Sequence, residues 1–294
     1  MTNTLKQFMD EQILLIDDEL YSLVDSIQAP EQLKESMLYS LKAGGKRIRP
    51  LFVLAVNQLF NNIQKEAYTV SAAIEMIHTY SLIHDDLPSM DNDELRRGKP
   101  TNHVVFGVAL ATLAGDALNT FSFGVLARMQ NVSPEIKVEL INLLSVAAGA
   151  EGMVGGQVLD IDGESRSLNL DELEKVHVNK TGALLRFSIE SGAILSNASE
   201  NERAILVEFA HHIGLAFQIQ DDILDIEGTS EELGKTAGKD VASNKSTYPS
   251  LLTLEGAKKK LNEHYEIAIS NLSKLQGDTS LLRELTEYIV RRNK

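Results

Sequence analysis

The sequence lacks cysteine and tryptophan altogether and contains only six prolines. Without cysteine the chain cannot form disulfides, thiolate metal sites or a cysteine nucleophile, which fits a reducing compartment. The prolines fall near predicted helix ends or in loops, where a missing N–H group costs little.

Positive charge is also scarce, with 28 Lys and Arg against 42 Asp and Glu and a formal net charge of −14. Nucleic acids and anionic membrane surfaces both require a cationic face, so we expect neither as a partner. The N-terminal segment carries acids within its apolar stretch and no small-residue cleavage site, unlike a signal peptide. No uninterrupted apolar run of bilayer length is present. We therefore expect a cytoplasmic protein without a membrane anchor.

The composition is that of a globular protein, with 43% apolar and 24% charged residues over 294 positions. Apolar residues recur at helical spacing, as in Leu33, Met37, Leu38 and Leu41, and no stretch shows sustained strand alternation. No segment is long or polar enough for an interdomain linker, so we predict one all-α domain over residues 1–294. Beyond the helix around 33–41, we predict helices over 51–60, 67–86, 104–130, 134–159, 171–195, 201–225, 247–272 and 279–292. The predicted loops cover 60–66, 88–102, 161–170, 196–200 and 227–246.

Two similar acidic motifs stand near the ends of apolar helical stretches, Ile83-His84-Asp85-Asp86-Leu87 and Ile219-Gln220-Asp221-Asp222-Ile223. Two such helix ends can face each other across a cavity in a bundle, where metal sites are commonly built. Pro88 breaks the first helix, so Asp91 is free to turn back toward Asp85 and share a cation.

In the second motif Gln218, Asp221, Asp222 and Asp225 have the spacing of one helix face. Three carboxylates on one face repel each other, and a divalent cation relieves that repulsion. By itself the motif leaves three readings open: a metal site, a helix C-cap and a solvated acidic cluster.

Carboxylates without histidine or thiol companions suit a hard cation. Magnesium takes one or two carboxylates together with substrate phosphates, whereas zinc requires nitrogen or sulfur ligands. The spacing also differs from that of a calcium-binding EF-hand loop. We therefore predict Mg²⁺, with Mn²⁺ as the alternative cation. The candidate metal ligands are Asp85, Asp86, Asp91, Asp221, Asp222 and Asp225.

Basic residues follow or precede both acidic motifs. Gly44-Gly45-Lys46-Arg47-Ile48-Arg49-Pro50 is a cationic turn that leads into an apolar helix, whose N-terminus favours anions. Arg96 and Arg97 follow the first motif, Lys180 stands among apolar neighbours, and three lysines follow the second motif (Lys235, Lys239 and Lys245). Acidic clusters accompanied by basic ones describe a site for magnesium-bridged phosphate.

Long motifs then carry a resemblance to a known family. GGKRIRP, EMIHTYSLIHDDLPSMDNDELRRGKPTNH, GGQVLD, HVNKTGALL and FQIQDDILD…LGK…NKSTYP resemble the signatures of trans-isoprenyl diphosphate synthases, in that family's order. The resemblance implies an all-α isoprenoid-synthase bundle around a deep central cavity, in a homodimer. It further implies head-to-tail condensation of isopentenyl diphosphate with dimethylallyl and then geranyl diphosphate, with about three Mg²⁺ ions on the allylic diphosphate.

The resemblance also implies roles for individual residues. Arg96, Lys180 and Lys235 match cationic contacts to the allylic diphosphate, and Lys245 a further phosphate contact. Lys46, Arg49, His78 and Arg97 match the isopentenyl diphosphate site. Thr181 and Gln218 match residues near the reacting carbons, and Gln157 and Asp160 a block beside the cavity. The implied catalytic set is Asp85, Asp86, Asp91, Lys180, Thr181, Gln218, Asp221 and Lys235.

Product length follows from the residues around the first motif. Four residues separate Asp86 from Asp91, which resembles the bacterial farnesyl type and some geranylgeranyl types. In the family a bulky residue at Tyr80 or Ser81 blocks the growing chain, so we predict a fifteen-carbon product. The other reading of Tyr80, a packed aromatic, makes it equally buried.

The alternatives are a geranylgeranyl diphosphate synthase, a terpene cyclase and an inactive regulatory subunit. A cyclase needs no second diphosphate site, and an inactive relative loses acidic residues, whereas both motifs are complete here. The closing Arg291-Arg292 has two readings, a contact with the active site and a solvated tail, and we favour the solvated tail.

Overall fold

The computed structural model describes residues 1–60, 63–228 and 245–292. Over these residues the chain is all-α, as predicted. The helices are α1 (Asn3–Asp25), α2 (Glu31–Leu41), α3 (Ile48–Phe60), α4 (Lys65–Asp85), α5 (Asn102–Phe106), α6 (Val108–Ala127), α7 (Pro134–Ala148), α8 (Met153–Glu164), α9 (Leu170–His177), α10 (Ala183–Leu195), α11 (Glu200–Glu227), α12 (Tyr248–Leu272) and α13 (Ser280–Val290). A π-helical turn, Val178–Gly182, joins α9 to α10, and strands β1 (Leu95–Arg96) and β2 (Lys99–Pro100) form an antiparallel hairpin.

Side-chain caps set the starts of several helices. Ser199 accepts from the backbone of Glu202 and Glu202 reciprocates, which is a capping box at the start of α11. Asn169 and Glu172 form the same arrangement at α9. Ser133 caps α7, whose first residue is Pro134. These caps satisfy backbone donors that the first turn leaves without partners, and each typically contributes about 1 kcal/mol.

Helix α3 lies at the centre of the bundle. Residues 50–57 of this helix are buried on every side, which explains a segment that is apolar nearly all round. Helices α4 and α10 pack against it, and Gly192 of α10 lies so close that an added Cβ would stand 2.6 Å from the Val53 carbonyl oxygen. The helices that carry the two acidic motifs, α4 and α11, are thereby held around one rigid core.

The structure differs from the sequence prediction in four places. Helix α1 was not predicted, although its buried residues Leu5, Met9, Ile16, Leu20 and Val24 follow one face. The predicted helix 104–130 is two helices, because Gly107 adopts a φ of 83° between α5 and α6. The predicted helix 134–159 ends at residue 148, and α8 instead extends into the predicted loop 161–170. The loop 88–102 contains the β1–β2 hairpin.

Two helical stretches are long and apolar enough, by length and composition, to cross a membrane: residues 108–127 and residues 134–164. Only 33% of each apolar window is buried. The second stretch spans α7 and α8, which are separated at residues 149–152. Two such stretches are weak evidence for a membrane protein, because their exposed apolar residues are equally suited to contact with another chain.

Candidate active site

A cavity of about 660 Å³ opens between α3, α4, α8, the π-helical turn and α11. It brings together residues that stand far apart in the sequence, including one carboxylate from each acidic motif. The predicted site residues that line it are Arg49, His78, Tyr80, Ser81, Asp85, Gln157, Lys180, Thr181, Gln218 and Asp221.

Asp85 ends α4, and the chain turns back after it. The backbone N–H of Asp91 donates to the carbonyl of Asp85 at 2.9 Å, so Asp91 folds back as its sequence position suggested. Burial raises the pKa of the Asp85 carboxyl to about 6, with Asp91 and Asp86 adding to the rise and Lys180 opposing it. Crowded carboxylates of this kind favour a bound cation.

Asp86 lines a smaller space beside the main cavity and pairs with the β1–β2 hairpin. Its carboxylate accepts from Arg96 Nη2 at 2.6 Å and from Arg96 Nε at 2.9 Å, and only 3% of Asp86 is exposed. Both residues line a small adjoining space of about 30 Å³, together with Arg97. The pair therefore fixes the hairpin, and with it Arg96, beside the first acidic motif.

The second motif presents its carboxylates to two adjacent spaces. Asp221 lines the main cavity. Asp222 is buried and accepts from the backbone N–H of Tyr248 at 3.0 Å, and its neighbour Gln218 donates to it at 3.3 Å. Asp222 lines a second space of about 170 Å³ with Lys180, Lys245 and Gln218. Asp225 is buried one turn further along α11.

The π-helical turn carries Lys180 and Thr181 toward the cavity. Thr181 Oγ1 donates to Gln218 Oε1 at 3.0 Å, and Lys180 Nζ donates to Asp160 at 2.6 Å. Lys245 Nζ donates to the same carboxylate at 3.0 Å. Although burial opposes it, these two lysines hold the pKa of Asp160 below its usual range. Asp160 thus orients both lysines.

Basic residues gather at the other side of Asp85. Arg49 and His78 line the cavity, and the Arg97 guanidinium lies against Gly45, where an added Cβ would be 2.7 Å from Arg97 Nη1. Burial, and then the charges of Arg49 and Arg97, lower the pKa of His78 well below its usual value. His78 is therefore a neutral hydrogen-bonding group within a cationic cluster. Lys46 belongs to the same turn and is half-buried.

Tyr80 forms part of the cavity wall on the α4 side. It is 7% exposed, its ring meets His84 edge to face at a centroid distance of 5.6 Å, and burial raises its pKa to about 12. Apolar residues of α8, among them Val158 and Ile161, line the same cavity. Ser81 donates to the His78 carbonyl at 2.9 Å. The buried position agrees with both readings of Tyr80.

One contact to the second motif was missed. The interpretation of Arg291-Arg292 as a solvated tail is wrong for Arg292, which is 7% exposed and donates to the carboxylate of Asp221. Its guanidinium lies 4.1 Å from the centre of the Phe217 ring. Arg291 is exposed and pairs with Glu287 at 3.0 Å, as expected. The strongly amphipathic α13 was the available signal, because it buries the helix that ends next to Arg292.

The carboxylates fit a metal that is held jointly with a substrate. Among the described residues, no three His, Asp or Glu side chains form a ready-made metal cluster. Asp85 and Asp221 instead line one cavity from opposite motifs, which suits magnesium bound by one or two carboxylates and by diphosphate oxygens. The predicted contacts Lys235 and Lys239 lie outside the described residues.

Comparisons with known proteins agree with one another. The model of the polyprenyl synthetase family matches residues 30–284. The farnesyl diphosphate synthase of Bacillus subtilis is 51% identical over the full length of both chains, and that of Geobacillus stearothermophilus is 48% identical over 99% of this chain and 98% of the other. A chloroplastic geranylgeranyl pyrophosphate synthase of Catharanthus roseus is 49% identical over 82% of this chain and 70% of its own.

Solved structures show the same fold. The FPP/GFPP synthase of Zymomonas mobilis superposes with a TM-score of 0.86 at 39% identity, over 99% of this chain and 100% of that one. The geranyltransferase of Legionella pneumophila gives 0.87 at 33% identity, over 98% of each chain.

Proposed function

The chain belongs to the polyprenyl synthetase family, and from that premise we propose that it is a prenyltransferase that makes farnesyl diphosphate. The substrates are isopentenyl diphosphate and an allylic diphosphate, first dimethylallyl and then geranyl. The observation that carries the proposal is a single cavity lined by both acidic motifs, by Arg49 and His78, and by the bulky Tyr80.

We assign the acidic motifs and the lysines to the binding of the allylic diphosphate. We assign the metal to Asp85, Asp86, Asp91, Asp221, Asp222 and Asp225, with about three Mg²⁺ ions and Mn²⁺ as the alternative. Bound magnesium would neutralise the diphosphate as it leaves the allylic carbon. Lys180, Lys245 and Arg96 would supply positive charge to the same leaving group, and we assign the same role to Lys235 from its sequence motif alone.

The cationic cluster beyond Asp85 is assigned to isopentenyl diphosphate. Arg49, Lys46 and Arg97 hold its diphosphate, and the neutral His78 donates or accepts a hydrogen bond there. This second anion site favours condensation over cyclisation, because a cyclase takes one diphosphate substrate.

The reaction needs a dry cavity between the two diphosphates. The allylic carbon–oxygen bond breaks and the electron pair leaves with the diphosphate. The double bond of isopentenyl diphosphate then attacks the allylic cation, and a proton is lost to the departing diphosphate. We assign Thr181 and Gln218, which are hydrogen-bonded to each other at 3.0 Å and line the cavity, to the neighbourhood of the reacting carbons. The apolar cavity wall excludes water that would capture the cation.

We propose a homodimer in the cytoplasm. Six large apolar residues are exposed along three consecutive helices, α5 to α7, and the contact area of a stable dimer would cover them. They are Val104, Val105, Val108, Leu113, Val138 and Val146. Leu113→Glu should shift the purified protein toward monomer in sedimentation-velocity experiments, and an unchanged dimer would place the interface elsewhere.

Product analysis tests the proposed function. Purified protein with Mg²⁺, labelled isopentenyl diphosphate and geranyl diphosphate should give mainly the fifteen-carbon alcohol after phosphatase treatment. A mainly twenty-carbon product would make the protein a geranylgeranyl diphosphate synthase, in line with its plastid relatives. A cyclic hydrocarbon from farnesyl diphosphate, or no turnover, would overturn the assignment altogether.

A further inference from the structure

Glu75 is a buried carboxylate that the proposed reaction does not use. It lies on α4 one turn before His78 and is only 2% exposed. Its Oε1 accepts from Arg47 Nη1 at 2.6 Å, and Arg47 is itself 3% exposed. A buried ion pair is weak evidence for stability, because desolvation offsets much of its attraction. The location of the Glu75–Arg47 pair beside the proposed substrate site therefore suggests a role other than stability.

Arg47 uses every nitrogen of its guanidinium within the protein. Nε donates to Asp17 of α1 at 2.9 Å, and Nη2 donates to the carbonyl of Leu41 at 2.8 Å. The third nitrogen, Nη1, is the one held by Glu75. Four of the five guanidinium N–H groups of Arg47 have acceptors within the protein, the fourth being the Tyr21 hydroxyl at 3.4 Å from Nη2. Because Arg47 is also buried, it is poorly placed to bind a diphosphate, although it stands in the middle of the cationic turn. It acts as an anchor of that turn to α1 and α4.

The turn needs such an anchor because its own backbone is permissive. Gly44 and Gly45 have φ values of 90° and 146°, conformations that glycine adopts without restraining its neighbours. Lys46 and Arg49 stand on either side of Arg47, and Arg97 rests on Gly45. The position of Arg47 therefore sets the positions of Lys46, Arg49 and Arg97.

The charge of Glu75 also stabilises the charged form of two of those cations, Arg49 and Arg97. That charge opposes the burial that lowers the pKa of Arg49, and it does the same for Arg97. Glu75 is thus the buried anion beneath a cluster of arginines that would otherwise repel one another.

We infer that Glu75 is a positioning residue which, through Arg47, sets Lys46, Arg49 and Arg97 in place for the diphosphate of the non-allylic substrate. The inference rests on the proposed function, which assigns that substrate to this cluster. The inference places Glu75 on the side of the cavity that we assign to isopentenyl diphosphate and not on the metal-binding side. Loss of the Glu75 charge should therefore change the KM of the two substrates differently.

Glu75→Gln tests this, because it keeps the side-chain volume and removes the charge. We expect the KM for isopentenyl diphosphate to rise roughly tenfold or more, the size expected when a hydrogen bond between charged groups is lost. The KM for geranyl diphosphate and kcat should stay within about twofold. Arg47→Met should give the same selective rise, and the double variant should add little to it, because both changes break one unit.

Glu190→Gln is the matched control. Glu190 is a buried glutamate that pairs with Arg186 and Arg203, both at 3.2 Å, away from the main cavity. Glu190→Gln should lower Tm without changing the KM for either substrate. If Glu75→Gln does not fold, Arg47→Lys must show the selective rise, because lysine keeps the charge but cannot reach all three acceptors.

An unchanged KM for isopentenyl diphosphate in Glu75→Gln, or an equal rise for both substrates, would overturn the inference. Arg49→Gln separates this from failure of the proposed function. If Arg49→Gln raises the KM for isopentenyl diphosphate and Glu75→Gln does not, only the positioning role fails. If neither variant does, the assignment of the cluster to that substrate fails as well.

Discussion

Arg292, beyond the last helix, donates a hydrogen bond to Asp221 of the second acidic motif and lies over the ring of Phe217. Gln220 holds the same segment by donating to the Arg292 carbonyl at 2.9 Å. The end of the chain therefore supplies the positive charge for a carboxylate that we assign to magnesium. In the proposed function, Arg292 and the metal would therefore compete for the Asp221 carboxylate.

Arg292→Gln should increase the affinity for the metal and lower the stability of the metal-free protein. We expect the Mg²⁺ concentration for half-maximal activity to fall. We also expect Tm in chelator to drop by about 2–4 °C, the shift that roughly 1 kcal/mol produces in domains of comparable size. Titration of activity and thermal unfolding measure the two effects. Arg291→Gln is the control, since that exposed residue pairs only with Glu287 at 3.0 Å and should change neither. A higher Mg²⁺ requirement in Arg292→Gln would show that Arg292 assists the metal.

Tyr80→Ala should lengthen the product. Removal of the ring deepens the cavity beside His84, so the fifteen-carbon chain no longer meets an obstacle and accepts another isoprene unit. Chromatography of dephosphorylated products should show twenty-carbon and longer alcohols as the main species. Ser81→Ala, which removes one hydroxyl at the next position, should leave the fifteen-carbon product in place. An unchanged product from Tyr80→Ala would mean that another residue sets the limit.

Metal affinity should depend on pH through Asp85. Its pKa is raised to about 6 in the folded protein, so it favours the metal-free fold fully below the ordinary aspartate pKa near 4. That contribution is lost as pH rises through about 6. Magnesium binds the ionised form, so the Mg²⁺-induced rise in Tm should shrink as pH falls from 7 to 5. In Asp85→Asn this part of the pH dependence should disappear, and its persistence would assign the effect to another group.

Gly45→Ala should weaken the binding of isopentenyl diphosphate by Arg97. An added Cβ would stand 2.7 Å from Arg97 Nη1 and must displace the guanidinium. Gly44→Ala offers a close control, because Gly44 also has a positive φ but nothing lies within 4 Å of its added Cβ. Both variants should lose stability, whereas only Gly45→Ala should raise the KM for isopentenyl diphosphate in steady-state assays. Equal KM values in the two variants would mean that Arg97 does not need this contact.

Much of the fold could be predicted because the chain is built from apolar helical periods, some of them bounded by glycine or proline, as at Gly44-Gly45 and Pro88. Helix α3 and the breaks before α4 and after Asp86 followed directly from that pattern. The separation of α7 from α8 did not, because it depends on close backbone approach. A Cβ at Gly152 would stand 2.2 Å from the Ala147 carbonyl oxygen, which no helical period reveals.

The candidate site could be predicted where its charged residues are clustered in the sequence. The carboxylates of Asp85 and Asp221 were expected on one cavity, and the structure places them there. A contact of Arg292 with the active site was the less favoured reading of the sequence, since Arg292 lies 71 positions after Asp221. Glu75 was missed for a similar reason: a lone acid on an apolar helix becomes meaningful only when the fold buries Arg47 beside it.

The π-helical turn at residues 178–182 has a consequence for changes in chain length. A wider turn holds one residue more than an α-helical turn, and here the extra residue lies where Lys180 and Thr181 both reach the cavity. Because the wide turn absorbs one residue, deletion of that residue would let the segment close into an ordinary α-helix while α10 keeps its buried face toward α3. The deletion would instead change which side chains of the turn reach the cavity. A one-residue deletion at this turn should therefore leave the protein folded and lower its activity, whereas a deletion within α10 itself would rotate the following side chains by roughly 100° and disrupt the core.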